Sequence, residues 1–433
     1  MKPTRLSLAV CASLAGMLAA APATTLAAFI EDSKASLELR NFYMNKDWRD
    51  SDWAGQSYNE AWTQGFIFKY ESGFTEGTVG VGVDLHGFAG LKLDSGGGRN
   101  TPGTGLLPPR AGADKNPHTS YGHAGATFKA KLSESTLRAG TLIPKLPTVQ
   151  SHDGRINPVT FSGVHINSKE VDNLTVDLGR LGRAVQRNST DSQPLFAGIA
   201  QGVGVNKRGT KYTRSNPNVS SKFDFAGASY KWWDTGLTTS YHAAKLHDVY
   251  KQHILNGVYT YPIADNQSLT ADLRFARTKE SANSGIDNKA YGALVNYKVG
   301  YTSVAAAYQK MSGDTGYAYL GGTDPFLVNF VQARDFASKD EKSWQVRATH
   351  DFASIGVPGL STMVRYIKGK NIYMGPGAKR GKEWERDIDL GYVVQNGPLK
   401  NLGMKVRNAT VRDNMGRSND ETRVIVSYTL PLL

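Results

Sequence analysis

Hydrophobic side chains recur at every second position in short runs along this chain, most cleanly near its C-terminal end. From Asn401 to Thr410, Leu402, Met404 and Val406 alternate with Gly403, Lys405 and Arg407. From Thr422 to Leu430, Val424, Val426, Tyr428 and Leu430 alternate with Arg423, Ile425, Ser427 and Thr429. A period of two marks a strand, whose successive side chains point to opposite faces. The same pattern sets Val79, Val81, Val83 and Leu85 opposite Gly80, Gly82 and Asp84, and Ala124, Ala126, Phe128, Ala130 and Leu132 opposite Thr127, Lys129 and Lys131. Leu269 to Phe275 carries Asp272 and Arg274 on its polar side, and Trp344 to His350 carries Gln345 and Arg347. Each run reads as a hairpin arm.

Strands with one apolar and one charged face build an outer-membrane barrel when the apolar face meets lipid and the charged face meets water. The predicted fold is therefore all-β, a transmembrane antiparallel β-barrel. About 405 residues beyond the leader, at roughly 22 per strand and connection, give on the order of eighteen strands. Connections at Asp94 to His118, Lys145 to Val159, Arg187 to Pro217 and Lys310 to Asp324 are long and rich in Gly, Pro and polar residues, whereas Gln395-Asn396-Gly397-Pro398 is a tight turn. Long outer loops and short periplasmic turns have this asymmetry. Aromatic residues near run ends, including Trp62, Tyr70, Tyr121, Tyr230, Trp232, Trp233, Tyr291, Tyr297, Tyr308, Trp344 and Tyr392, are expected in the girdles at the membrane interfaces.

Lys2 and Arg5, an apolar stretch from Leu6 to about Ala20 and small residues near Ala27 read as a secretory signal over residues 1–27, followed by one barrel domain over 28–433. The single cysteine, Cys11, falls in that leader, so no disulfide or Cys-ligated metal is expected in the exported protein. Beyond the leader no uninterrupted apolar run reaches the ~18–20 residues of a spanning helix. The formal charge of +13 is spread along the strand runs and interleaved with acids. Nucleic-acid binders concentrate their bases in a patch, so small anions are the better-matched partners and nucleic acid is not expected. Alternation alone places Lys69, Lys129, Lys131, Arg138, Arg274, Arg347, Arg365, Lys405, Arg407 and Arg423 on inward faces.

Three stretches carry a family resemblance. The first is Arg138-Ala139-Gly140-Thr141-Leu142-Ile143-Pro144-Lys145-Leu146-Pro147 with Asp153-Gly154-Arg155 and Thr160-Phe161-Ser162-Gly163. The second runs from Phe223-Asp224-Phe225-Ala226-Gly227-Ala228-Ser229-Tyr230 to Asp248-Val249-Tyr250. The third joins Lys342-Ser343-Trp344-Gln345-Val346-Arg347, Gly356-Val357-Pro358-Gly359-Leu360 and Gln395-Asn396-Gly397-Pro398-Leu399. Together they resemble the OprD-type substrate-specific outer-membrane porins of pseudomonads, over essentially the whole exported chain. The resemblance implies a barrel of eighteen strands, monomeric or weakly trimeric, inserted into outer-membrane lipid by the barrel assembly machinery of a Gram-negative bacterium. It also implies loops folded into the lumen and passive uptake of small carboxylate solutes along a ladder of bases. Carried over by position, that ladder comprises Arg155, Lys405, Arg407 and Arg423. Lys405 stands where the family often has arginine, exchanging a bidentate grip for a point charge. Asp314 and Asp324, in a long Gly-rich segment, are the candidates for an acidic counter-wall.

Other chemistry fares less well. His242, His247 and His253 lack a zinc-ligand spacing, and Gly80-Val81-Gly82 and Gly202-Val203-Gly204 lack the third glycine and helix of a dinucleotide site. Ser151, His152 and Asp153 are adjacent in sequence, which is not the geometry of a triad. No catalytic site, metal or cofactor is expected. The competing reading is a secreted or periplasmic all-β protein that binds acidic ligands, its apolar faces packed sheet on sheet.

Overall fold

The computed structural model describes residues 29–49, 56–100, 103–110, 116–199 and 219–433. The expected leader and Gly202-Val203-Gly204 lie outside the described residues. Among the described residues, eighteen antiparallel strands form a closed wall. The first strand, Lys34–Trp48, pairs with the second, Tyr58–Glu71, on one side and with the last, Asn419–Pro431, on the other. Closure removes both sheet edges, so every wall strand has neighbours for its backbone groups. Across the long connection that begins at residue 186, Leu174–Val185 pairs directly with Phe223–Lys231 and keeps the wall continuous.

The alternation read from the sequence is the inside-outside alternation of this wall. On the last strand Asn419, Glu421 and Arg423 are buried inward, whereas Val424 is exposed on the outer face. Val346, Val364, Ile388, Leu390, Met404 and Val406 continue that outer surface across neighbouring strands. An exposed apolar surface extending over many strands suits a hydrocarbon solvent and disfavours the soluble binding-protein reading. Trp62, Tyr291, Tyr297, Tyr308 and Trp344 lie on it as expected. Tyr121 does not: its ring turns inward, 6% exposed, and its hydroxyl donates to the Leu106 carbonyl at 2.7 Å. It packs with Phe42, Met44, Leu106, Leu107 and Ile156, so an apolar loop inside the barrel competes with the membrane interface for aromatic rings.

Inward-folded loops fill much of the lumen. Lys145–Leu146, Val149–Ser151 and Thr323–Asp324 form a small three-stranded sheet inside the wall, joining two loops far apart in sequence. The later loop spans 314–341, longer than the expected Lys310 to Asp324, because no further wall strand starts until Lys342. Its apolar residues Tyr317, Leu327 and Ala337 pack on Ile254, Ala276, Ala290 and Met311 of the wall. This inner layer, more than the wall, shapes the passage.

Glycine in the wall permits close approach where packing requires it. A Cβ at Gly82 would lie 2.6 Å from Cε of Lys129 and 2.7 Å from the Gly73 carbonyl oxygen. Lys129 is fixed there by Asp84 at 2.6 Å and by the Ser72 carbonyl at 2.6 Å. Gly82→Val is therefore expected to destabilise the barrel by about 1–3 kcal/mol, read as a lower temperature for loss of the compact gel species. Unchanged thermal stability would show that the wall can relax around the added methyls.

Candidate solute passage

Antiparallel register sets the lumen charges in rows. Arg407 of the penultimate strand, Gly403–Asp413, lies directly opposite Arg423 on one side and Asp389 on the other. Arg347 lies opposite Arg365, which in turn lies opposite Asp387. Like charges directly opposed across strands are destabilising, and here each such pair borders a carboxylate. Arg407 Nε donates to both Asp389 oxygens at 3.0 Å, and Lys405 Nζ stands 3.4 Å from the same carboxylate. Arg365 donates to Asp387 through Nε at 2.8 Å and through its terminal nitrogen at 2.5 Å.

The acids in these rows share one strand. Glu383, Glu385, Asp387 and Asp389 alternate with outward Trp384, Arg386 and Ile388 along Gly381–Val393. Sequence reasoning passed over this inward column, although its period of two against Trp384, Ile388 and Leu390 was readable. The upper part of the column holds a loop in place. Arg334 of the 314–341 loop is 3% exposed and reaches Glu383 at 3.4 Å and Asp413 at 3.1 Å, while the Ala333 N–H donates to Glu385 at 2.8 Å. No sequence pattern marks Arg334, because its partners are set by tertiary folding of an irregular segment.

The four expected bases differ in how open they are. Lys405 and Arg407 have side chains 49% and 22% exposed. Arg423 is 3% exposed, donating to Glu421 at 2.7 Å and to the Gln332 carbonyl at 3.0 Å. Arg155 projects from the loop between Val149–Ser151 and Thr160–Ser168, donating to the carbonyls of Thr104 at 3.1 Å and Gly154 at 2.8 Å. That loop is clamped by Arg40 of the first strand, whose guanidinium donates to Asp153 at 2.8 Å and to the Arg155 carbonyl at 2.7 Å. Burial, then the nearby charges of Arg423, Arg187 and Arg407, pull the Arg155 pKa well below its ordinary value against the opposing charge of Glu421. The structure thus brings Arg155 into the field of Arg407 and Arg423, with Lys405 as the neighbouring base on the Arg407 strand.

The two expected acids lie in the inner sheet and at a strand end. Asp324 lies in the inner sheet, hydrogen-bonded to Nδ1 of His152. Burial lowers the His152 pKa against the opposing hydrogen bond and charge of Asp324, and the charges of Arg187 and Arg155 add to the lowering. Asp314 follows the strand Thr302–Gly313, and its N–H donates to the Asp287 carbonyl at 2.9 Å. Among the inward bases, Lys129 is sealed beside Asp84, and Arg274 is stacked 3.9 Å over Phe326 and paired with Asp272 at 2.6 Å. Three histidines weighed for metal binding diverge. His242 is buried, His247 bonds Asp224, and His253 bonds the hydroxyl of outward Tyr241.

A closed barrel with a charged, loop-narrowed lumen is the architecture of a porin. The family model described as "outer membrane porin, OprD family" matches residues 27–432. This chain belongs to the OprD family of outer-membrane porins. Porin D of Pseudomonas aeruginosa is 36% identical, the match covering 94% of this chain and 92% of that protein. Among solved structures, OpdQ of P. aeruginosa is 50% identical with a TM-score of 0.83, covering 94% of this porin and 100% of that chain. OpdK of P. aeruginosa, solved with vanillate, is 35% identical with a TM-score of 0.83, covering 93% and 100%. The porin accordingly resides in the outer membrane of a Gram-negative bacterium.

Proposed function

We propose that this porin conducts small carboxylate-bearing solutes, with Arg155, Lys405 and Arg407 as the groups they meet in the narrowed passage. The observation that carries this reading is the placement of Arg155. It makes no ion pair with a carboxylate among the described residues and lies in the field of Arg423, Arg187 and Arg407, with Glu421, already paired with Arg423 and Lys46, as the one opposing acid that acts on it, so a solute carboxylate adds counter-charge where cations outnumber acids. Lys405 and Arg407 share one acid, Asp389, and retain attraction for a second. Arg423, enclosed by Glu421 and the loop carbonyl of Gln332, adds to the field and positions the loop.

Such an arrangement suits transit better than storage. A carboxylate ~4 Å from a cation gains about 1 kcal/mol at the dielectric of water and about 4 at an effective value of 20, before desolvation. Asp389 and Asp387 blunt the attraction at each rung, and shallow successive sites release a solute that one deep site would retain. Vanillate, present in the related OpdK structure, is an aromatic carboxylate and belongs to the proposed class. The same reading takes the exported barrel as residues 28–433, a monomer or weak homotrimer delivered by the barrel assembly machinery. Liposome swelling with carboxylates and neutral amides of matched size tests the solute class. Carboxylates should enter several-fold faster; equal rates for matched pairs contradict the proposal.

A further inference from the structure

A row of lysines crosses the outer face of the wall. Lys310, Lys342, Lys370 and Lys382 are direct register partners on four successive strands: Lys310 opposite Lys342, Lys342 opposite Lys370, and Lys370 opposite Lys382. Their neighbours Gln309, Ser343, Gly369 and Glu383 are buried inward, which sets the row on the opposite, membrane-facing surface. Lys310, Lys370 and Lys382 are exposed and Lys342 is half-buried.

Like charges placed directly opposite one another across a sheet repel. None of these lysines forms an ion pair among the described residues, and the nearby carboxylates are committed elsewhere. Asp340 holds Arg380 at 2.9 Å, and Asp420 holds Arg412 at 2.7 Å and Arg49 at 2.8 Å. Glu383 and Glu385, next to Lys382 in sequence, face the lumen. The repulsion is therefore left for something outside the chain to neutralise.

The position of the row narrows the choice. Two residues further into the membrane the same outward columns carry Tyr308, Trp344, Lys368 and Trp384, with Trp344 and Trp384 each 5.7 Å, centroid to centroid, from the Tyr366 ring. Val304, Val346, Val364 and Ile388 lie beyond them. One such step is roughly 6–7 Å along a strand, so the amines stand just above an aromatic girdle, where headgroups begin. This is the end of the barrel bearing the long 314–341 loop, hence the outer leaflet.

We propose that Lys310, Lys342, Lys370 and Lys382 form a binding site on the outer wall for the phosphate groups of an outer-leaflet lipid of the lipid A type, with its acyl chains lying against the aromatic and aliphatic positions below. Lys368, in the girdle row itself, adds a cation at the lower edge of the site. The site is independent of the passage, because the lumen charges lie on the other face of the same strands.

Native mass spectrometry of the full-length porin in a non-ionic detergent, mixed with diphosphoryl or dephosphorylated lipid A, tests the assignment. The diphosphoryl form should bind about tenfold more tightly or better, and joint replacement of the four lysines by glutamine should abolish most of that preference. Arg407→Gln, which alters only the lumen, should retain lipid binding. Inorganic phosphate in large excess should not displace the lipid, because a free ion has no acyl chains to engage the rings. Equal binding of the two lipids by the wild-type porin, unchanged binding by the glutamine variant, or displacement by inorganic phosphate each overturns the proposal. The wild-type comparison stands even where a variant fails to assemble.

Discussion

Arg407→Glu lowers the flux of a small carboxylate by roughly tenfold or more, while a neutral solute of the same size passes within about twofold of the wild-type rate. The expectation follows from the register of the lumen. Arg407 sits between Asp389 and Arg423, and a glutamate there would add a second acid opposite Asp389 while removing one of the charges that act on Arg155. An entering carboxylate would then meet repulsion on the wall that now attracts it. The neutral solute is the internal control, because the exchange alters side-chain volume far less than it alters charge. Liposome swelling with a matched pair of solutes gives both rates from one preparation. Equal loss for both would locate the defect in pore shape.

Arg334→Leu is expected to be the most destabilising single change in the inner layer. Arg334 is sealed between Glu383 and Asp413, whose side chains are 2% and 0% exposed. Removing one member of a buried ionic cluster leaves uncompensated charge and costs about 3–5 kcal/mol. Arg417, which also reaches Glu383 at 3.4 Å, relieves only part of this. The energy need not unfold the barrel, because the loop can undock and let water reach both acids. Single-channel recording should then show larger and noisier openings, together with weaker discrimination between carboxylate and neutral probes. Wild-type conductance with quiet openings would mean that apolar contacts, such as Leu327 and Phe336 on the wall, hold the loop without Arg334.

The wall was legible in the sequence because one face of each strand meets hydrocarbon. That solvent writes an alternation at Val424, Val426 and Tyr428 or at Met404 and Val406 that no other part of the fold has to supply. Lumen bases such as Lys405 and Arg407 were readable by the same rule. Their pairing was not, since Asp389 lies on the preceding strand and alternation gives no partner across strands. Inside the barrel the rule weakens. Tyr121 resembles an interface aromatic in sequence, but it turns inward because Leu106 and Leu107 fold back to cover it. Lys129 has the pattern of a lumen rung, yet Asp84 and Ser72 close over it. Arg334 and Arg40 act through loops whose course depends on contacts distant in sequence, so no local period announces them.

The role of the Arg155, Lys405 and Arg407 cluster can be seen directly by diffraction. Crystals of the porin soaked with a bromobenzoate should show the carboxylate within hydrogen-bond reach of Arg155 and of Lys405 or Arg407, with the bromine located by its anomalous signal. Bromine sites confined to other surfaces, with these three side chains unengaged at saturating solute, would contradict the proposed path.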